Sequence, residues 1–177
     1  MKLRNLLALT AVAGMLLCGM NRQAQAQDMN HTDHHFVRQA TWGGMTEVIL
    51  SHVALDKSNN PDIRAFAQHM IDDHTRANDI LLHICGDHGI EHPNELDADH
   101  KATVDHIKSL SGWDFNRAYA HQMLDDHTDA VALFQDESAN GINEHLRHFA
   151  DKTLPTLQEH LTMAQDLDHH LHHHDHD

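Results

Sequence analysis

Apolar positions recur three and four residues apart through most of the chain, which is the spacing of one face of a helix. A first helix is predicted over 36–57. Val37, Thr41, Met45, Val48 and Leu55 form one stripe on it, and the small residues Ala40, Gly44, Ser51 and Ala54 form a parallel one that also holds Glu47. Asn60-Pro61 supplies an N-cap and a proline whose fixed φ suits a first helical turn, so a second helix starts there and ends near Gly86. Its inward stripe reads Ile63, Ala67, Met70, His74, Ala77, Leu81, Ile84. Beyond Gly89 and Pro93 a shorter amphipathic stretch over 97–110 stops at Ser111-Gly112. A third long helix runs from 114 to Asn140-Gly141 and a fourth from 143 to 167, with Leu146, Ala150, Thr153, Leu157, His160, Ala164 and Leu167 facing inward. Pro155 falls inside the fourth, where it removes the hydrogen bond to the Asp151 carbonyl and predicts a kink just before His160.

The segment from Phe66 to Ala77, FAQHMIDDHTRA, recurs 53 residues later as YAHQMLDDHTDA, with nine of twelve positions identical or conservative. Helix propensity alone does not demand Met-x-Asp-Asp-His-Thr twice, so duplication or a shared site is the better explanation. His74 lies 13 residues after Pro61 and His127 lies 13 after Asp114, which puts both imidazoles at one height if the crossover returns the chain and the two helices run parallel. The expected fold is therefore all-α: a ferritin-like four-helix bundle with a long crossover carrying a short extra helix.

His74, His127 and His160 each interrupt an otherwise apolar stripe. At about 1.5 Å rise per residue, Glu47 and His74 mismatch in height by about 4.5 Å and His127 and His160 by about 6 Å, within the uncertainty of helix ends. One glutamate and three histidines from four helices can thus converge on a central layer, with Asp73 and Asp126 as further ligands or as partners that orient the imidazoles. That nitrogen and oxygen set suits zinc, copper, iron, manganese or nickel. A hydrogen-bonded polar layer without metal satisfies the same pattern.

The first 26 residues carry a basic start (Lys2, Arg4), an apolar run over 6–17 and the small-x-small end Ala24-Gln25-Ala26, the pattern of a cleaved secretory signal. Removing it takes Lys2, Arg4 and Arg22 and no acid, so the formal charge moves from −15 to −18 with histidine neutral. Nucleic acid and anionic membrane are poor partners for such a chain, and no later stretch is apolar enough to span a bilayer. All 22 histidines follow the leader, so full protonation would swing the remainder to +4. The expected organisation is a signal over 1–26, a histidine-rich segment over 27–35, the bundle over 36–167 and a disordered tail over 168–177. In that tail His169, His170, His172, His173, His174 and His176 form a low-affinity metal-binding run. His31/His35, His88/His92 and His145/His148 have spacings that chelate on a helix face. Cys85 reads as a small buried hydrophobe, Met70 and Met123 as core.

Gly43-Gly44-x-x-Glu47-Val48 and Asn60-Pro61-x4-Phe66-Ala67-x2-Met70-Ile71-x-Asp73-His74-x3-Asn78 resemble the first two helices of an exported ferritin-like bacterial family catalogued as a domain of unknown function. Gly112-x2-Phe115-x3-Tyr119-x3-Met123-x3-His127, then Leu133-Phe134, Leu154-Pro155-x-Leu157 and His160, resemble the rest. The resemblance implies the bundle and export to the periplasm, with outer-membrane association left open, and brings no established activity. No Glu-x-x-His occurs, so the carboxylate-rich di-iron chemistry of better-known ferritin-like enzymes is not expected. Three functions stay open: an exported protein that sequesters or buffers divalent transition metal, a pH-responsive structural protein with a polar core layer, and a metal-dependent oxidoreductase. Self-association into a homo-oligomer is compatible with each.

Overall fold

The computed structural model describes residues 28–173, with side chains to 171. Five helices follow one another: α1 (His31–Lys57), α2 (Pro61–His88), α3 (Ala98–Ser109), α4 (Gly112–Asn140) and α5 (Glu144–His173). The expected secretory leader lies outside the described residues.

Helix α1 begins a turn earlier than its apolar pattern suggests, because Asn30 and Asp33 form a reciprocal capping box. The Asp33 N–H donates to the Asn30 side chain at 2.9 Å and the Asn30 N–H to Asp33 Oδ2 at 2.7 Å. The histidine-rich segment over 27–35 is thus mostly first helical turns. Helix α2 starts at Asn60-Pro61 as expected but runs past Gly86, since the left-handed cap is Gly89 at φ 66°, followed by an Ile90 N–H bond to the Cys85 carbonyl at 2.9 Å. His92 therefore lies beyond the helix, and His88/His92 is not a helical pair. Instead His88 stacks on His145 of α5 with ring centroids 3.9 Å apart. Asn143 caps α5, accepting from the His145 and Leu146 N–H groups. That helix passes through Pro155 without interruption and continues to His173, burying Leu171. The disordered tail expected over 168–177 is therefore helical as far as His173: Leu171 gives its turn an apolar side to dock. His169 and His170 are exposed on this extension, and His174 and His176 lie outside the described residues.

Short α1–α2 and α4–α5 connections make each pair antiparallel. Asn30 Nδ2 reaches the Asn140 carbonyl and Ser51 meets Tyr119 at 2.9 Å, so α1 also runs against α4, and α2 and α4 share one direction. The crossover achieves this and is tied to α1 at two points. Trp42 Nε1 donates to the Glu95 carbonyl, and Lys57 Nζ donates to the Lys108 and Leu110 carbonyls at the end of α3.

The core has two apolar parts. One holds Leu50, Ile63, Met70, Phe115, Tyr119, Met123 and Leu171 with Val104 and Ile107 of α3; the other holds Phe36, Leu81, Cys85, Phe134, Phe149 and Leu157. Between the two parts α2, α4 and α5 each bury one polar residue, His74, His127 and His160, and α1 buries Glu47 with Thr41 and Thr46. On α1 Gly44, Ser51 and Ala54 of the small stripe turn fully inward, while Ala40, Met45, Val48 and Leu55 are only half-buried. Small residues let α2 approach closely: a Cβ on Gly44 would collide with the Asn78 side chain.

Candidate metal centre

Four helices each place one side chain of the sequence-derived set in the layer between the apolar parts. All of Glu47, His74, His127 and His160 are buried. Glu47 Oε2 accepts from His74 Nδ1 at 2.6 Å, and its Oε1 lies 3.6 Å from His127 Nδ1. His127 Nδ1 donates to the Met123 carbonyl one turn back at 2.7 Å. That acceptor fixes the tautomer: a carbonyl cannot donate, so Nδ1 carries the proton. His160 Nε2 donates to Asp73 Oδ2 at 3.1 Å. The three rings form a triangle with centroid separations of 5.4, 5.3 and 5.4 Å.

Each imidazole has thus spent one nitrogen on an acceptor. The other nitrogen, Nε2 of His74, Nε2 of His127 and Nδ1 of His160, is buried with no hydrogen-bond partner. One nitrogen from each ring lies within 4.8 Å of the other two. A zinc-sized ion bound at about 2.0–2.1 Å in tetrahedral array holds its nitrogens about 3.4 Å apart, so the rings need draw together by no more than about 1.4 Å on loading.

Burial pushes Glu47 upward, but the His74 and His127 charges and the His74 hydrogen bond reverse this, and it titrates at about 2. Burial lowers His74, and the Glu47 charge and hydrogen bond outweigh it, so His74 is raised. His127 is lowered by burial, and His160 by burial and the neighbouring imidazoles, to about 4. These shifts favour charge on Glu47 and His74 and the neutral form of His127 and His160. Asp126 joins it at the edge: burial and the Glu47 charge raise it to about 7, Gln122 donates to one oxygen, and the other is buried without a partner.

A cavity of about 470 Å³ opens beside the layer, lined by Glu47, Asp73, His74, Asp126 and His160 and, at its apolar end, by Leu133, Phe134, Phe149 and Leu157. The small residues Ala40, Gly43, Gly44, Ala77 and Ala130 leave this space.

All six residues picked from the stripes and the repeat are therefore in one place. His69 was missed, although His69-x3-Asp73 is a helical i, i+4 pair: its Nε2 is 3.3 Å from Asp73 Oδ2. Also missed was a buried carboxyl pair at the loop end of the bundle. Asp33 accepts from the Ile142 and Asn143 N–H groups at 3.1 and 3.0 Å. Burial and the adjacent Asp33 charge push the neighbouring Glu137 up to about 8. Met70, Met123 and Cys85 are core, and burial pushes the Cys85 thiol up to about 11. Among the exposed histidines, His31 stacks on His35 and His121 sits 3.5 Å from Asp125.

No functionally curated protein matches the chain. The crystal structure of a DUF305 fragment from Deinococcus radiodurans is similar, with a TM-score of 0.66 at 17% identity over 78% of this chain and 97% of that one, a likeness of fold. The profile of the domain of unknown function DUF4142 matches residues 18–167, most of the chain, and the protein belongs to that family.

Proposed function

We propose that the protein binds a divalent transition-metal ion in its central layer and acts as an exported sequestering or buffering protein. The observation that carries this reading is the set of three buried imidazoles, each anchored through one nitrogen and each leaving the other without a partner. Buried polar atoms in folded proteins are nearly always satisfied, and a histidine held by a carboxylate or carbonyl on one nitrogen is the usual form of a metal ligand. His74, His127 and His160 would be the ligands, with Glu47 orienting His74 and balancing charge, Asp73 orienting His160, and Asp126 at hand for a further bond. Zinc, copper, iron and nickel all suit such a set. Loading displaces the proton on His74 Nε2, so affinity weakens as pH falls. Export rests on the leader-like start, Lys2 and Arg4 before an apolar run.

A metal-dependent oxidoreductase is the second reading, and the cavity against the layer favours it, since it leaves room for a substrate beside an open coordination position.

The test is elemental analysis of the full chain, purified without chelator or nickel resin, beside the His74→Ala/His127→Ala double variant. Both proteins carry the same histidine-rich C-terminus, so only the core differs. About one metal equivalent lost in the variant is the expected result. Equal metal in both, or none in either after supplementation, sinks the reading.

A further inference from the structure

His160 belongs to two groups of three potential ligands. One is the buried set with His74 and His127; the other is His69, Asp73 and His160, whose ligand atoms also lie within 4.8 Å of one another. We propose that His69, Asp73 and His160 form an outer site through which a divalent transition-metal ion is loaded onto the buried layer. This rests on the metal-binding reading above.

The second group grades from solvent to core. The His69 side chain is 45% exposed, that of Asp73 23% and that of His160 1%. Two imidazole nitrogens converge on one carboxylate oxygen: His69 Nε2 lies 3.3 Å and His160 Nε2 3.1 Å from Asp73 Oδ2. An ion at about 2.1 Å from a nitrogen and an oxygen so spaced makes nitrogen–ion–oxygen angles of about 95–105°, between octahedral and tetrahedral values, so both imidazole–carboxylate spacings suit a bound ion. The exposed Arg76 approaches the other oxygen, Oδ1, at 3.5 Å and leaves Oδ2 to the imidazoles.

The shared ring sets the direction of traffic. A neutral imidazole has one N–H and one lone pair. When His160 Nε2 holds an ion at the outer corner, its proton sits on Nδ1 and the inner set is a ligand short. When the proton returns to Nε2, where Asp73 accepts it, Nδ1 is freed for the inner ion. The two sites therefore exclude one another through His160, which suits transfer of a single ion rather than storage of two. The cavity that touches Asp73, His160, His74 and Glu47 supplies the path.

Stopped-flow uptake of Co(II) by the full chain, read from the ligand-field absorption of the nitrogen-bound ion, tests this. Free Co(II) is buffered low enough that isolated surface imidazoles stay empty. His69→Ala, a half-exposed change that leaves the core intact, should slow uptake by about tenfold while final stoichiometry and affinity stay within about twofold. Unchanged rates in His69→Ala overturn the proposal. A loss of affinity as large as that of His74→Ala also overturns it, because His69 would then be a ligand of the main site. A wild-type protein with no Co(II) uptake that His74→Ala/His127→Ala removes refutes the metal reading itself, a result distinct from normal uptake at equal rates.

Discussion

At the scale of single residues, the layer depends on what each polar side chain bonds to rather than on its being polar. Glu47 holds His74 and Asp73 holds His160, while His127 relies on a backbone carbonyl. The stripes and the Asp-Asp-His repeat were enough to select these residues, because a histidine in a leucine position is visible as a break in periodicity. Which nitrogen each ring spends was not legible, since it depends on a partner from another helix. The Asp33–Glu137 pair was wholly hidden, because it forms only where the α4–α5 connection packs against the start of α1. It makes a pH prediction. Glu137 titrates at about 8 when folded, above its ordinary value. Its contribution to stability is thus fully present below the unfolded value and is lost as pH rises through about 8. Glu137→Gln, which removes the ionisable group, should be more stable than the parent at pH 8 by about 1–2 kcal/mol, with little difference at pH 4.5. Urea titrations at the two pH values decide it, and a difference independent of pH would be the wrong outcome.

At the scale of elements, the starts and stops of helices were read well where one residue does the work. Asn60-Pro61, Asp97 and Asn140-Gly141 act locally through caps and a stop. Errors arose where a cap competed with the apolar pattern, as at Asn30 and Gly89, or where tertiary docking extended a helix. Asn30→Ala removes the capping box and the bond to the Asn140 carbonyl, and should cost about 1 kcal/mol with faster amide exchange in the first turn of α1. At the other end, Leu171→Ala should cost about 2 kcal/mol, at the low end for a buried leucine because it lies near a helix terminus. A cost near zero in a denaturant melt would mean that the last turns of α5 do not dock.

At the scale of the whole molecule, two apolar clusters hold the polar layer between them, so the layer cannot relax without disturbing both. Unpartnered nitrogens in such a place weaken the empty protein, and an ion that binds them links to folding. At a free ion concentration 100 times the dissociation constant, binding should add about 2.7 kcal/mol to stability, read as a higher Tm in the parent and no change in His74→Ala/His127→Ala. Equal shifts in both would place the effect on surface histidines. The chain by itself determined the helical class, the element order, the crossover helix and the four inward polar positions, because periodicity, caps and a repeat are local patterns that any helix must obey. Only the tertiary structure decided the hydrogen-bond partners of each imidazole, the cavity beside them, the place of His69 and the buried carboxyl pair. Those depend on residues up to about a hundred positions apart meeting at one height, and burial, which sets their chemistry, belongs to the packed bundle and not to any one helix.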